Sequence, residues 1–366
     1  MKKVFTNILT MMMVLSVGTM FISCEDEPEP QRPDTPGEEG HWTAGTKPYS
    51  INVNPYNGDI IVNSDGDYTA TGDCFIFTND LKVRLGATEL GMLPSKSVAL
   101  DADHLLVLNE GNWGSNNADI SYVDITRGTA ENDWFASNNS RGLGDVGQDL
   151  LIYGSKAYAT ASFSNSIEAI NLSNGKSTRI STTEANVSTP RYIAAEGSNI
   201  YVSCYSPASV IRIDTGSKSI TGRCELGSFN PEGICSLNGK LYVASSNISD
   251  ENYNYSYDNK VYVVDIASFT LVDSIIVGRN PAKVKALDGN HIVVNCIGDY
   301  ASTAACTYIV DATTKNATAL NVAFYNFDVY NGDIYGYTDP YSALKFYKVN
   351  GSTLSCQEIL TPSNKQ

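Results

Sequence analysis

The stretch from Gly239 to Pro281 decides the fold. It reads Gly-Lys-Leu-Tyr-Val (239–243), then, after a polar loop, Lys-Val-Tyr-Val-Val-Asp (260–265), then Leu-Val-Asp-Ser-Ile-Ile-Val-Gly (271–278), with Pro281 shortly after. Short apolar or alternating runs separated by turn residues predict β-strands. Versions of this unit return at intervals of roughly 40 to 50 residues, and that period, with strands and no helix, is typical of a β-propeller.

Seven such units can be counted, and each opens with a strand that leads into a tight turn. Asn-Gly and related pairs are the strongest local signal for such a hairpin turn. The turns are Asn57-Gly58, Asp101-Ala102-Asp103-His104, Tyr153-Gly154-Ser155, Glu196-Gly197-Ser198, Asn238-Gly239, Asp288-Gly289 and Asn331-Gly332. The third strand of a unit often ends in Asp, and the fourth ends near a Gly-x-x-Pro sequence such as 278–281.

We therefore predict an all-β fold, a seven-bladed β-propeller of four-stranded antiparallel blades. One such sheet cannot bury both of its faces alone, whereas sheets stacked around a ring bury an apolar layer between neighbours. An error in one weak unit would change the count to six or eight. The first unit could also supply strands that close the ring with the last.

The N-terminal residues predict an export signal and an anchor. Lys2 and Lys3 precede an apolar run that is short for a membrane span, so residues 1–23 are predicted to be a lipoprotein signal peptide. The sequence before Cys24 resembles the bacterial lipoprotein cleavage box, which makes Cys24 the predicted lipidated N-terminus; the alternative is a plain signal peptide with an accidental cysteine. Residues 24–45 form a predicted acidic, Pro-rich disordered tether, and residues 46–366 a single propeller domain.

The acidic cluster after Cys24 resembles the surface-export signal of Bacteroidetes lipoproteins. We therefore expect outer-membrane localisation with exposure at the cell surface, and contact with the membrane through the lipid anchor alone. A solvated linker that faces the periplasm is the alternative.

Composition narrows the partners and the chemistry. The formal charge of −15 makes nucleic acid a poor partner. Of the eight cysteines, Cys296 with Cys306 and Cys224 with Cys235 are candidate disulfide pairs, because the compartment permits disulfides. Buried free thiols are the alternative. The sequence contains no Cys-x-x-Cys pair of the kind that would indicate a zinc site.

Strand order assigns the loops to two faces. The turns between strands one and two, and between strands three and four, lie on one face, which we call the turn face. The loops between strands two and three and the links between blades lie on the other, which we call the loop face. The loops of the loop face are longer and richer in aromatic and amide side chains, a composition that suits ligand binding.

The predicted ligand-binding residues all belong to the loop face, and packing within a blade is the alternative role for each. They are Asn109, Glu110, Trp113, Asp145, Gln148, Arg191, Tyr192, Tyr205, Asn230, Glu232, Tyr300 and Tyr341. Lys283 lies in one of the same links, near the axis. If this face binds a ligand, replacing Trp113 or Arg191 by Ala should weaken binding with little effect on folding. Replacing Gly239 or Gly332 should instead damage folding, because their turns need positive φ.

Catalysis has weaker support than binding, and we predict that the protein is not an enzyme. The three histidines, His41, His104 and His291, fall outside the rich loops, which removes the usual general base and metal ligand. No resident cofactor is predicted. A structural calcium ion at Asn63, Asp65, Asp67 and Asp73 is an alternative, although their spacing does not match an EF-hand and an ordinary acidic turn explains them as well.

The segment Leu108-Asn109-Glu110-Gly111-Asn112-Trp113 to Ser121-Tyr122-Val123-Asp124 resembles the opening blade of the Bacteroidetes surface-layer-like, YncE-like seven-bladed propeller lipoproteins. The links at 143–148 and 189–193 are similar to that family's next inter-blade links, and the likeness extends from about residue 105 to 285. Residues 47 to 100 resemble the family's closing blade, so the ring could start at a different point. The family includes surface lipoproteins that capture vitamin B12 and hand it to a TonB-dependent outer-membrane transporter.

The resemblance thus implies a corrinoid such as cobalamin as ligand and a TonB-dependent transporter as partner. The leading prediction is a surface lipoprotein that binds a small molecule or nutrient without chemistry. A protein- or glycan-interaction module, or an adhesion module, is the alternative. A propeller lyase or lactonase is the third possibility, and the scarcity of histidine argues against it.

Overall fold

The computed structural model of the protein describes residues 39–42, 47–65 and 70–362. In this part of the chain, seven antiparallel sheets of four strands surround a common axis, which confirms the predicted seven-bladed β-propeller. The first strand of each blade is innermost, and the fourth is outermost. The predicted signal peptide, Cys24 and most of the predicted tether lie outside the described residues.

Strand β1 (His41–Trp42) precedes the blades, and the next strands form blades 1 to 4. Blade 1 contains β2 (Pro48–Val53), β3 (Ile60–Ser64), β4 (Asp73–Phe77) and β5 (Val83–Glu89). Blade 2 contains β6 (Pro94–Ala99), β7 (His104–Asn109), β8 (Asp119–Asp124) and β9 (Thr129–Glu131). Blade 3 contains β10 (Gly147–Tyr153), β11 (Lys156–Ala161), β12 (Ser166–Asn171) and β13 (Ser177–Ser181). Blade 4 contains β14 (Ser188–Glu196), β15 (Asn199–Ser206), β16 (Ser209–Asp214) and β17 (Ile220–Glu225).

The last three blades follow the same order. Blade 5 contains β18 (Pro231–Leu237), β19 (Lys240–Ser249), β20 (Tyr255–Asp265) and β21 (Thr270–Ile276). Blade 6 contains β22 (Pro281–Ala286), β23 (His291–Cys296), β24 (Cys306–Asp311) and β25 (Ala317–Ala319). Blade 7 contains β26 (Asn326–Tyr330), β27 (Asp333–Tyr337), β28 (Phe346–Asn350) and β29 (Cys356–Pro362).

The second strand of each blade explains the apolar runs in the sequence. Strands such as β3 and β7 are buried on both faces, because each lies between two neighbouring blades. The outermost strand β21 has instead mostly exposed residues. Among the described residues, each junction between neighbouring blades holds one apolar cluster, so the core is a ring of inter-blade layers.

A bulge near the start of the innermost strand recurs in blades 1 to 6. The pairing register shifts immediately after a proline, as at Pro48 and Pro281, or after Gly147 in blade 3. Bulges re-aim the side chains that follow them. The polar residues one or two positions after the proline therefore lie near the axis, at the loop face.

The ring closes between blades 7 and 1 with an added strand. Strand β1 pairs in parallel with β29 as a fifth strand on the outer edge of blade 7. Trp42 is 1% exposed and packs against Phe75 of blade 1 and Phe346 of blade 7, with ring centroids 5.1 and 5.3 Å apart. Residues 41 and 42 fall within the segment 24–45 assigned to the tether from the sequence. The structure places them in the fold, because Trp42 packs into the apolar layer between blades 7 and 1.

The link between blades 2 and 3 contains a short helix, α1 (Trp134–Asn139), where the sequence predicts no helix. Phe135 is fully buried in the layer between these blades, and its backbone N–H donates to Asp119 Oδ1 at 3.1 Å. A single fully buried aromatic in a segment of six residues gives no helical periodicity, so this helix carries no sequence signal. Within the described ranges, no helix is long and apolar enough to cross a membrane.

The two candidate disulfide pairs differ in geometry. Cys296 and Cys306 are direct register partners on β23 and β24. Cys224 and Cys235 lie on strands of different blades, and Cys235 packs into the next apolar layer. The seven described cysteines all carry free thiols.

Candidate functional site

A channel runs along the axis of the ring. Its volume is about 490 Å³, and residues of the innermost strands form most of its wall. Tyr49, Gln148 and Asn326 line it near the loop face, because they lie at the start of β2, β10 and β26. An axial channel walled by polar side chains of several blades is a site where one small ligand can touch most of the ring.

An ion-paired group joins blades 3, 4 and 5 beside this channel; we call it the Arg191 network. It comprises Gln148, Arg191, Tyr192, Tyr205 and Glu232. The Arg191 guanidinium donates through Nε to Glu232 Oε2 at 3.2 Å, and it also donates to Gln148 Oε1. The Tyr205 hydroxyl donates to the other oxygen of Glu232, and its ring lies 4.8 Å from the guanidinium carbon. Burial raises the pKa of both tyrosines above the usual range, so their hydroxyls remain protonated at neutral pH.

A second group of charges comes from blades 2 and 6. We call Lys96, Lys283 and Lys285 the lysine tier, and all three line the channel. Lys285 donates to Asp328 Oδ1. Lys283 Nζ donates to Asn326 Oδ1 at 2.6 Å, and Lys96 Nζ lies 4.0 Å from Asp149 Oδ1.

The ionisation of these groups follows from burial and mutual charge. Burial lowers the pKa of Lys283 well below its usual range, and repulsion from Lys96 and Lys285 lowers it further. Burial alone would raise the pKa of Asp328, but the three lysines hold it below its ordinary value. Burial also raises the pKa of Glu110, although Tyr49 donates a hydrogen bond to its carboxylate and Arg191 attracts it.

Exposed aromatic side chains concentrate on the loop face. Of the six exposed aromatics in the described part of the chain, five lie there, and only Tyr56 lies on the turn face. We call the five the aromatic rim: Trp113, Phe163, Tyr300, Tyr325 and Tyr341. Exposed apolar groups gathered on one face mark an interaction surface, whereas isolated ones do not.

Four of the five rim side chains pair with one another across separate loops. The rings of Trp113 and Phe163 meet edge to face with centroids 6.2 Å apart, which joins loops of blades 2 and 3. Tyr341 meets Tyr325 edge to face at 6.4 Å. These pairs restrict the rings before any ligand arrives, which lowers the entropy cost of binding.

The structure brings together some of the predicted site residues and leaves others apart. Glu110, Gln148 and Tyr192 line the channel. Arg191, Tyr205 and Glu232 join them through the Arg191 network. Trp113, Tyr300 and Tyr341 belong to the aromatic rim.

Three predicted residues have other positions. Asn109 is buried in blade 2, where its Nδ2 donates to Ser121 Oγ at 2.8 Å. Asp145 accepts the backbone N–H of Gly114 at 3.0 Å and so holds the loop that carries Trp113. Asn230 uses its backbone to bridge to Ser246 and Asn247. None of the three lines the channel.

Sequence reasoning did not include several channel residues among the predicted binding residues. They are Tyr49, Lys96, Asp149, Lys285 and Asn326. A signal existed for two of them. Tyr49 stands one position after Pro48, as Arg191 and Glu232 do after their own prolines, and Lys96 stands two positions after Pro94, as Lys283 does after Pro281. Aligning that short motif across all units would have found them.

The described residues contain no arrangement of side chains suited to metal binding or to catalysis by histidine. No group of three or more His, Cys, Asp or Glu side chains there could hold a metal ion. Of the four calcium candidates, Asp67 lies outside the described residues, and the Asn63 side chain donates to Ser50 and Ser97. His104 and His291 each contact the aspartate that begins their own turn-face hairpin, at 2.9 Å.

Comparisons with known proteins support the fold alone. No family model matches the chain, and no curated protein matches it. The WD40 domain of Neurospora crassa Pan2 is similar over 80% of this chain and 86% of that one, with 10% identity and a TM-score of 0.59. The computationally designed Ika8 protein is similar over 90% of this chain and 92% of its own, with 10% identity and a TM-score of 0.56.

A chain of Kuenenia stuttgartiensis hydrazine synthase is also similar, with 17% identity, over 56% of this chain. This chain spans 62% of its length, and the TM-score of 0.46 is too low to carry an argument. The strand order of the structure itself establishes the seven-bladed propeller, and the resemblance to the Bacteroidetes lipoproteins stays a prediction.

Proposed function

We propose that this protein binds a small molecule or nutrient on its loop face, across the mouth of the axial channel, without changing it chemically. The observation that carries the proposal is the coincidence of two features on one face. The aromatic rim offers rigid apolar area, and the channel below it offers buried polar groups that fix orientation. Small-molecule sites combine these two kinds of surface.

A protein- or glycan-interaction role would use the same aromatic rim. The channel favours the small ligand, because a flat interface has no use for a cavity of about 490 Å³, walled in part by charged side chains, at its centre. Nucleic acid remains a poor candidate for a chain with a formal charge of −15.

The absence of chemistry is part of the proposal. Among the described residues, no histidine lines the channel, and the channel carboxylates Asp149 and Glu110 are engaged in hydrogen bonds within the ring. The ionised groups near the axis thus serve to hold the blades and to present donors to a ligand.

We further propose that lipid on Cys24 anchors the chain to the outer membrane, that the propeller faces outward from the cell, and that it delivers its ligand to a TonB-dependent transporter. The sequence supports this through the cleavage-box resemblance and the acidic segment that follows Cys24. A corrinoid such as cobalamin is the candidate ligand, on the family resemblance. Its broad ring would lie over the mouth of the channel against the aromatic rim.

Titration of the mature chain, kept unlipidated by Cys24→Ala, with cobalamin and cobinamide in a calorimeter tests the ligand. One-to-one binding supports nutrient capture. No heat at high micromolar ligand would remove corrinoids and move the search to other nutrients and to glycans.

Protease treatment of intact cells tests the location. We expect the wild-type chain to be cleaved from outside. Protection of the wild-type chain in intact cells, with cleavage only after the outer membrane is opened, would place it in the periplasm.

A further inference from the structure

The polar groups of the channel are unevenly used. Asp328 accepts a hydrogen bond from Lys285 and another, at 3.0 Å, from the backbone N–H of Val53. Asp149 accepts the backbone N–H of Ile193 at 2.9 Å. The carboxylate acceptors beside the lysine tier are thus largely engaged within the ring.

The donors are not. An ammonium group carries three N–H donors. Lys283 uses one of them on Asn326, and no carboxylate oxygen of a described residue lies within 4 Å of its Nζ. Lys96 Nζ makes no hydrogen bond to a described residue, and the nearest carboxylate oxygen, on Asp149, is 4.0 Å away. Up to five N–H donors in the channel wall are therefore available to a ligand.

The charges around the lysine tier also favour a negatively charged ligand. The lysine tier carries three positive charges once Lys283 is protonated, as anion binding favours, and the two carboxylates beside it, Asp149 and Asp328, carry two negative charges. The third carboxylate of this region, Glu110, lies nearer the loop face, where Tyr49 donates a hydrogen bond to it. This cationic surplus lies inside a chain with 25 basic and 40 acidic residues, so it is a local feature rather than a general one. Charges placed inside a protein without partners are costly to keep, and their natural complement is an anion.

We propose that Lys96 and Lys283 bind the carboxylate or phosphate group of a small ligand that enters the channel from the loop face. The inference deepens the proposed function and rests on it, because it names the chemical class of the group that the channel receives. The aromatic rim then contacts the remainder of the ligand.

Binding of an anion should be coupled to proton uptake. Lys283 faces Lys96 from blade 2, Asp149 from blade 3, Lys285 from its own strand, and Asn326 and Asp328 from blade 7. Its pKa is lowered well below the usual range by burial and by the two neighbouring lysines. An anion beside Nζ favours the charged form, raises that pKa, and draws a proton from the buffer.

The test is calorimetric titration of the mature Cys24→Ala chain with inorganic phosphate and, separately, with succinate, in two buffers of different ionisation enthalpy. We expect saturable binding of at least one anion and a heat that depends on the buffer, which reports proton uptake. The anion that binds tells a phosphate site from a carboxylate site. Absence of binding by both would overturn the proposal.

Variants distinguish this site from other anion sites. Lys283→Met should weaken anion binding by roughly tenfold to a hundredfold, since a charge-assisted hydrogen bond is lost. Lys96→Met should act in the same direction. Lys283→Arg should keep the binding and reduce the buffer dependence, because arginine stays protonated, whereas Lys96, whose pKa burial also lowers, can still take up a proton. Lys240→Met, an equal charge change on the turn face, should leave binding unchanged.

Stability measurements exclude a merely structural role. Lys283→Met removes a buried charge that lacks a carboxylate partner, so the melting temperature should stay constant or rise while anion binding falls. A large fall in melting temperature with unchanged anion affinity would overturn the proposal. Binding of cobalamin without binding of either anion would overturn it too, yet would leave the proposed function intact.

Discussion

At the scale of single residues, Arg191 shows how a predicted binding residue can also hold the fold. Its guanidinium bridges Gln148 of blade 3 and Glu232 of blade 5, and only 17% of its side chain is exposed. The sequence-based expectation was that Arg191→Ala would affect binding and leave folding nearly unchanged. The geometry changes that expectation, because the substitution would leave the buried Glu232 carboxylate without its arginine partner.

We now expect Arg191→Ala to lower the free energy of unfolding by about 3 kcal/mol or more, the usual cost of leaving one partner of a buried pair. Arg191→Met combined with Glu232→Met should cost less than Arg191→Ala alone, since no charge is left unpaired. Urea unfolding of the three proteins measures this. Equal losses for the single and the double variant would contradict the pairing.

Asp119 gives a prediction about pH. Burial raises the pKa of its carboxyl to about 6, whereas the pKa of an aspartate in the unfolded chain is about 3.9. The folded protein therefore holds more protons between these values, and this residue makes stability fall as pH rises from about 4 to about 6.

In Asp119→Asn that contribution disappears. The variant's melting temperature relative to wild type should increase across this window and then level off above it. Thermal melts at pH 4, 5, 6 and 7 measure the difference. A difference that does not change with pH would contradict the assignment.

At the scale of elements, the hairpin turns between the first and second strands are alike in sequence but not in conformation. Gly239 and Gly332 have φ of +73° and +77°, which confirms the predicted positive φ at both. Gly289, in the Asp-Gly turn of blade 6, is not in the left-handed region. An added Cβ meets no atom within 4 Å at any of the three, so backbone conformation alone separates them.

Gly239→Ala should therefore destabilise the protein by roughly 1 to 2 kcal/mol, the cost of the left-handed region for an L-residue. The matched substitution Gly289→Ala should have little effect or stabilise slightly. Denaturant unfolding of the two variants side by side measures this. A comparable loss in both would mean that contacts, rather than φ, set the cost.

The elements also show what a sequence can and cannot predict here. Strands such as β19 and β23 are readable because burial on both faces requires continuous apolar runs between turn residues. Helix α1 and strand β1 were not predicted, because each depends on one buried aromatic, Phe135 in the layer between blades 2 and 3 or Trp42 between blades 7 and 1, and one residue gives no periodic pattern. The lysine tier was missed as a group because Lys96 precedes Lys283 and Lys285 by some 190 residues in sequence and meets them only when the ring closes.

At the scale of the whole molecule, the ring depends on how its ends meet. Strand β1 adds to blade 7, and Trp42 joins the apolar layer between blades 7 and 1. A propeller with an unsealed junction would expose that layer and two sheet faces. The short segment before blade 1 therefore belongs to the stability of all seven blades.

Trp42→Ala should lower the free energy of unfolding by about 3 to 5 kcal/mol, the range for removing a buried aromatic. Trp113→Ala, at an exposed tryptophan, should change it by about 0.5 kcal/mol or less. Equilibrium unfolding measures both. A small effect at Trp42 would mean that the ring closes without β1.

We propose above all that the loop face, over the axial channel, binds the ligand. The most direct measurement is cobalamin affinity by calorimetry for wild type, Trp113→Ala on the loop face and Tyr56→Ala on the turn face, all in the unlipidated mature chain. We predict one-to-one binding that Trp113→Ala weakens roughly tenfold or more and Tyr56→Ala leaves unchanged. Equal weakening by both variants, or binding that only Tyr56→Ala weakens, would contradict the claim.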